Sequence, residues 1–167
     1  MPEMPKQTVE TILSAAKETI ALVRYCWAAT NGEVCANTRV VEPFFSGTDR
    51  DDWIVRFLTS RSSRKAAEIE LSKRVALGYQ YDPEFAYVTL IGEASIIDDR
   101  RLVADYWRNE WHAFFPNGPT DVDAVIVAVR VDRIEMWNPV RKIAPPPYGL
   151  RAAVLQRDGS GWRLVYG

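Results

Sequence analysis

The sequence predicts a mainly β protein with peripheral helices, built on one antiparallel sheet that curls toward a barrel. Seven or eight short segments rich in branched and aromatic residues are separated by turns, not by regular helices. The longest, Ala124 to Trp137, places Val125, Val127, Val129 and Val131 at alternate positions. Only three segments carry helical periodicity. A sheet with this many antiparallel strands removes its exposed edges by closing on itself.

Residues 7–19 predict an amphipathic helix, with Val9, Ile12, Leu13, Ala16 and Ile20 on one stripe and Thr8 as N-cap. Residues 20–30 predict a strand. Asn31-Gly32 predicts a tight hairpin turn through positive φ, and residues 34–44 its partner, with Pro43 marking an edge or an end. A polar loop over 46–52 precedes a strand from Trp53 to Leu58. A hydroxyl- and cation-rich junction follows, then a helix to about Lys73. Segments 74–81 and 86–97 predict two strands around Asp82-Pro83, with Gly92 as a bulge or close approach. Asp98 or Asp99 caps a helix expected to reach about Phe114, where Pro116, Asn117 and Gly118 stop it; Trp107 and Trp111 then share one face. The long strand 124–137 has apolar residues on both faces. Residues 142–149 contain three prolines in a row and predict an extended connector. Residues 150–157 and 162–166 predict a last hairpin around Asp158-Gly159-Ser160-Gly161.

At 167 residues the chain predicts a single domain over 1–167, and 47% apolar content is enough for a core. A net charge of -1 argues against a nucleic-acid or membrane-surface binder. No apolar run reaches membrane-spanning length. Cys26 and Cys35 lack metal spacing and predict reduced thiols in a cytoplasmic protein.

Chemistry concentrates at one junction: Thr59, Ser60, Arg61, Ser62, Ser63, Arg64 and Lys65, between a strand and a helix. Two readings stand. In the functional one, a helix starting near Ser62 offers unpaired amides and its dipole to a phosphate. Thr59, Ser62 and Ser63 add hydroxyls, and Arg64 and Lys65 add charge. In the bland one, Ser62 or Ser63 caps the helix and the cations sit in water. Cations at a helix N-terminus oppose the dipole, which favours an anion there. Neither a P-loop nor a dinucleotide fingerprint is present. Upstream, Arg39 stands alone among uncharged strand residues and needs a partner: Glu33 or Glu42, or the same phosphate.

Three stretches carry a family resemblance: TRVVEPF, FLTSRSSRKAAEI, and YVTLIGEASIIDDRRLVADYW continued by WHAFFPNGPTDVDAVIVAVRVDRIEMWNP. In that order and spacing the chain resembles the FMN-binding split-barrel superfamily that includes pyridoxamine 5′-phosphate oxidase, and within it the general stress protein subgroup. The resemblance covers residues 8–138 and leaves 139–167 as a C-terminal extension. It implies an antiparallel six-stranded split β-barrel, with the last hairpin as an addition, and a homodimer with FMN at the interface. It implies a flavin-dependent oxidoreductase of unassigned substrate; the alternative is a non-catalytic module that binds a flavin, or a related cofactor such as heme or deazaflavin, for sensing or storage. By position, Arg39, Val40 and Val41 would lie along the flavin and its phosphate. Leu58 and Thr59 would touch the isoalloxazine or ribityl part, and Ser63, Arg64 and Lys65 would hold the phosphate. The match stops short of the oxidase substrate site: Tyr87 replaces a Gln, and the C-terminal Arg and His contacts have no counterpart.

Of the remaining residues, His112 reads as a packed or rim residue. Asp98, Asp99, Asp121 and Asp123 read as caps and turn residues.

Overall fold

The computed structural model describes residues 7–144 and 151–166. Helix α1 spans Val9–Ala21, and Thr8 caps it. The Thr8 hydroxyl accepts the Thr11 amide at 3.2 Å, and Thr11 Oγ1 accepts the Thr8 amide at 2.9 Å. Its stripe of Ile12, Ala16 and Ile20 is buried, so Ile20 ends a helix and does not open a strand.

Strand β1 (Cys26–Asn31) pairs with β2 (Ala36–Val41). The expected two-residue Asn-Gly turn is replaced by residues 32–35. Asn31 stays in the ladder opposite Ala36, and the Gly32 amide donates to the Cys35 carbonyl at 3.0 Å. Neither Asn31 nor Gly32 needs positive φ. The strand expected over 34–44 breaks at Glu42. Pro43 has no amide to give the β1 ladder, and the chain crosses into the two-residue β3 (Pro43–Phe44), which pairs with β4 (Ile54–Ser60).

The loop between them holds a single turn, α2 (Asp49–Asp52), fixed by Asp49, which accepts the Ser46 amide and Arg56 Nε at 2.8 Å each. Strand β4 runs two residues further than expected: Thr59 and Ser60 pair with Val125 and Ala124. Helix α3 (Arg64–Ser72) therefore starts later than expected, with Ser63 as its N-cap.

Strands β5 (Arg74–Tyr81), β6 (Ala86–Ile97) and β7 (Ala124–Trp137) complete the main sheet, ordered β2-β1-β5-β6-β7-β4-β3 with every neighbour antiparallel. Seven strands follow this path, not six. The extra one is the short β3, cut from β2 by Pro43. Because β2 and β3 occupy opposite ends of the order yet are separated only by Glu42, the sheet curls until its ends meet at that residue. The split lies along β7. One edge pairs with β6 throughout. The other serves β4 over residues 124–130 and β8 (Ala153–Asp158) over 133–136. Strand β9 (Gly161–Tyr166) completes the expected C-terminal hairpin, while Pro145 to Pro147 lie outside the described residues.

A bulge at Ile91/Gly92 lets β6 follow the curl, and a Cβ at Gly92 would stand 2.1 Å from the Arg130 carbonyl oxygen. Val55, Phe57, Leu77, Leu90, Val129 and Ile134 fill the interior.

The helix expected over 98–114 is shorter. Asp99 caps α4 (Arg100–Tyr106), accepting the Arg101 and Leu102 amides at 2.9 and 3.2 Å. Trp107 and Arg108 are then extended, and a 3-10 turn spans Asn109–Ala113. The break sends Trp111 and Phe115 down onto Phe44 and Val103 in a second core. Trp107 and Trp111 still meet, edge to face at 5.7 Å, but across a kink and not along one helix. Among the described residues, no helix is long and apolar enough to cross a membrane.

Candidate functional site

A cleft of about 930 Å³ opens where β2 ends, β4 ends and α3 begins. Val40, Val41, Leu58, Thr59 and Lys65 line it from the sheet side, and Trp111, Phe114 and Phe115 from the kinked segment after α4. The sheet alternates its side chains, so Thr59 turns inward and is buried while Leu58 faces the second core. Five of the eight site residues expected from sequence thus meet in one place. The aromatic wall was visible in the run WHAFF but had no assigned location.

Arg39, Ser63 and Arg64 do not line this cleft. The Arg39 guanidinium is spent elsewhere: it donates to Thr30 Oγ1 at 2.5 Å, the Asn37 carbonyl at 3.0 Å and Glu68 Oε2 at 3.3 Å. Its carboxylate partner is therefore neither Glu33 nor Glu42 but Glu68, one helix away. Glu68 also accepts Thr30 Oγ1 at 2.5 Å and Asn37 Nδ2 at 2.6 Å, and these hydrogen bonds, the Thr30 one foremost, hold its carboxyl below the usual range. Ser63 Oγ is occupied in accepting the Ala66 amide at 3.3 Å. Arg64 is exposed and sits a loose 3.6 Å from Glu68.

The cluster's other groups are sorted in the same way. Asp123 accepts the Ser60 hydroxyl, the Ser62 amide at 2.8 Å and the Ser62 hydroxyl at 3.2 Å. Ser62 is therefore bound to a carboxylate of the chain itself. Arg61 pairs with Asp98 at 2.7 Å.

Lys65 remains. Its Nζ donates to Thr59 Oγ1 at 2.7 Å, and among the described residues no carboxylate lies within 4 Å of it. Burial, and then the Arg39 charge, push its pKa down. A half-buried ammonium whose one neighbour is a neutral hydroxyl calls for an anion. The Arg64 and Lys65 amides in the first turn of α3 have no backbone partner either. These groups fit a phosphate monoester, and the apolar walls and cleft size fit a planar ligand. Arg24, Glu42, Glu110 and Asp123 also line the cleft; Arg24 is paired with Glu42 at 3.0 Å, and Glu110 and Asp123 oppose a dianion beside them.

Known proteins agree with this fold. A protein from Clostridium acetobutylicum related to general stress protein 26 superposes with a TM-score of 0.72 at 18% identity, covering 92% of this chain and 99% of its own. The general stress FMN/FAD binding protein of Xanthomonas citri gives 0.65 at 18% identity, with 78% and 90% covered. A pyridoxamine 5′-phosphate oxidase-related, FMN binding protein from Nostoc punctiforme gives 0.62 at 13% identity, with 99% and 100% covered. No protein of curated function matches the chain. The family model for pyridoxamine 5′-phosphate oxidase like proteins matches residues 13–156, reaching past the long strand β7 into β8, and the chain belongs to that family.

Proposed function

We propose that the protein binds FMN in this cleft and works as a cytoplasmic homodimeric oxidoreductase. One observation carries the reading: Lys65, half-buried and without a carboxylate among the described residues, beside Thr59 at the start of α3. Two solved relatives of this fold are FMN or FMN/FAD binding proteins, which supports the same assignment.

In this reading Lys65, Thr59 and the Arg64 and Lys65 amides hold the phosphate. Exposed Arg64 swings from its loose contact with Glu68 to join them. Ser63 contributes by capping α3, which fixes the start of the helix beside Lys65. Val40, Val41 and Leu58 line the ring system, and Trp111 and Phe115 exclude water from its far side. Arg39 acts indirectly, by bracing β2 against α3 through Glu68. A bound flavin supplies the hydride and electron chemistry.

The second protomer would sit on the outer face of β1 and β2. Trp27 and Val40 are cross-strand partners there, 54% and 52% exposed, and Trp27 stands opposite Gly78 of β5. Val40 belongs both to that face and to the cleft, so a copy docked on it also covers the cofactor.

Titration with FMN, followed by flavin fluorescence, tests the assignment. Saturable binding that Lys65→Ala weakens is expected; equal curves for the two proteins would overturn it. Oxidation of reduced nicotinamide by the loaded protein separates an enzyme from a storage or sensing module.

A further inference from the structure

On the other side of Glu42 lies a second cavity, of about 490 Å³, at the end of the barrel between α1 and α2. It contributes nothing to the phosphate corner, and its chemistry is different. Arg24, Arg50 and Arg108 face it, against a single carboxylate, Glu42. Glu42 Oε1 is shared between Arg24 Nε at 3.0 Å and Arg108 at 2.6 Å, so one negative charge serves two guanidiniums.

Arg50 has no carboxylate partner among the described residues. Its acidic neighbours are engaged elsewhere: Asp49 with Arg56, Asp51 with Lys17, and Asp52 with Thr48. What Arg50 has is the ring of Phe45, 4.4 Å below its guanidinium carbon. Phe44 and Phe45 supply an apolar wall.

Tyr79 reaches this cavity from the barrel interior. It is 1% exposed, and its Oη is buried with no hydrogen-bond partner. The Cys26 thiol is its polar neighbour but does not meet hydrogen-bond geometry. A buried phenol left unpaired forfeits its hydration without a replacement, and a core Phe would avoid that cost. Such groups are rare in folded proteins and call for a reason. An acceptor on a bound molecule would satisfy it.

We propose that this cavity is a second binding site, for a small organic carboxylate with a flat apolar body. Arg50 pairs with the carboxylate, the Tyr79 hydroxyl donates to one of its oxygens, and the body packs on Phe44 and Phe45. Glu42 borders both this cavity and the cleft, so the second ligand lies beside whatever the cleft holds and is placed to be its reaction partner or its modulator.

Benzoate, with benzyl alcohol as the uncharged control, tests this by calorimetry on the full chain. Saturable benzoate binding is expected, with none for benzyl alcohol. Arg50→Gln should weaken it about tenfold or more, as loss of a charged hydrogen bond predicts. Tyr79→Phe should raise the melting temperature of the ligand-free protein and abolish the further rise that benzoate gives the parent. Lys65→Ala should leave the benzoate response intact, which separates this site from the FMN assignment. Absence of saturable benzoate binding in the parent, or equal affinity in parent, Arg50→Gln and Tyr79→Phe, overturns the proposal.

Discussion

Lys65→Met is the substitution that most sharply tests the site, because it should move two quantities in opposite directions. Methionine keeps the length and most of the apolar stem but removes the ammonium that stands 2.7 Å from Thr59 Oγ1. A charge-assisted hydrogen bond contributes about 1.5–3 kcal/mol. At about 1.4 kcal/mol per decade, its loss raises the dissociation constant for FMN about tenfold to a hundredfold. Without ligand the same change should stabilise the protein, since it removes a half-buried charge that no carboxylate offsets. The pH dependence has a defined sign. Burial and the Arg39 charge lower the folded pKa of Lys65 below its ordinary 10.5, so the unfolded chain binds more protons in the window between the two. Stability of the apo protein therefore rises with pH in that window, and Lys65→Met removes this contribution. FMN affinity runs the other way and falls as alkaline pH discharges the lysine. Flavin fluorescence titration and thermal melts on the two proteins measure both effects. Unchanged FMN affinity, together with an unchanged or lower apo melting temperature, would refute the reasoning.

Gly92→Ala places a methyl 2.1 Å from the Arg130 carbonyl oxygen and should destabilise by about 1–3 kcal/mol, read from the denaturant midpoint. Asp123 is held below its ordinary pKa of 3.8, by the Ser60 hydrogen bond first, so the stability it contributes is present above that value and lost as pH falls through the folded pKa. Asp123→Asn should accordingly flatten the acid limb of a melting-temperature profile. Trp27→Asp and Val40→Asp put a charge on the proposed subunit face and should convert a dimer to monomers in sedimentation velocity. Cys26, whose thiol burial pushes to about 12, should resist alkylation in the native state, whereas exposed Cys35 reacts at once; mass spectrometry distinguishes them.

Local signals in the sequence match the structure where a local cause governs the outcome. Thr8 and Asp99 cap their helices because capping needs only residues two or three positions away. The alternation of β7 and the bulge at Gly92 likewise follow from short-range pattern. Errors arose where a distant partner decides. The sequence over 34–44 reads as one strand, and only the positions of β1 and β4 make the chain change partner at Glu42. The stretch 98–114 keeps helical periodicity, yet burying Trp111 and Phe115 beside Phe44 is worth more than continuing the helix. Five of the eight expected site residues line one cleft; of the three others, Ser63 and Arg64 are held by local contacts, with Ala66 and Glu68, and Arg39 by a distant one. Arg39 meets Glu68, 29 residues on, and Ser62 meets Asp123, 61 residues on.

Those pairings change what the polar junction means. In sequence, three cations stand as candidate phosphate ligands, Arg39, Arg64 and Lys65, with Arg61 in the same junction. Folding ranks them by what opposes them. Arg39 and Arg61 each hold a carboxylate at 3.3 and 2.7 Å, and Arg64 holds Glu68 loosely from an exposed position. Lys65 holds none, and Arg39, already neutralised by Glu68, remains close enough to push its pKa down further. Pairing Arg39 inward therefore does more than brace two elements. It also keeps that guanidinium, paired with Glu68, from competing with Lys65 for the ligand. A dianion arriving at Lys65 meets an ammonium that has no ion pair to give up among the described residues. Elsewhere in the cleft Arg24 is paired with Glu42, and Glu110 and Asp123 disfavour a dianion beside them. A nearly neutral protein can in this way single out one cation of a crowded junction for a dianion, and the charge balance of the whole chain gives no hint of it.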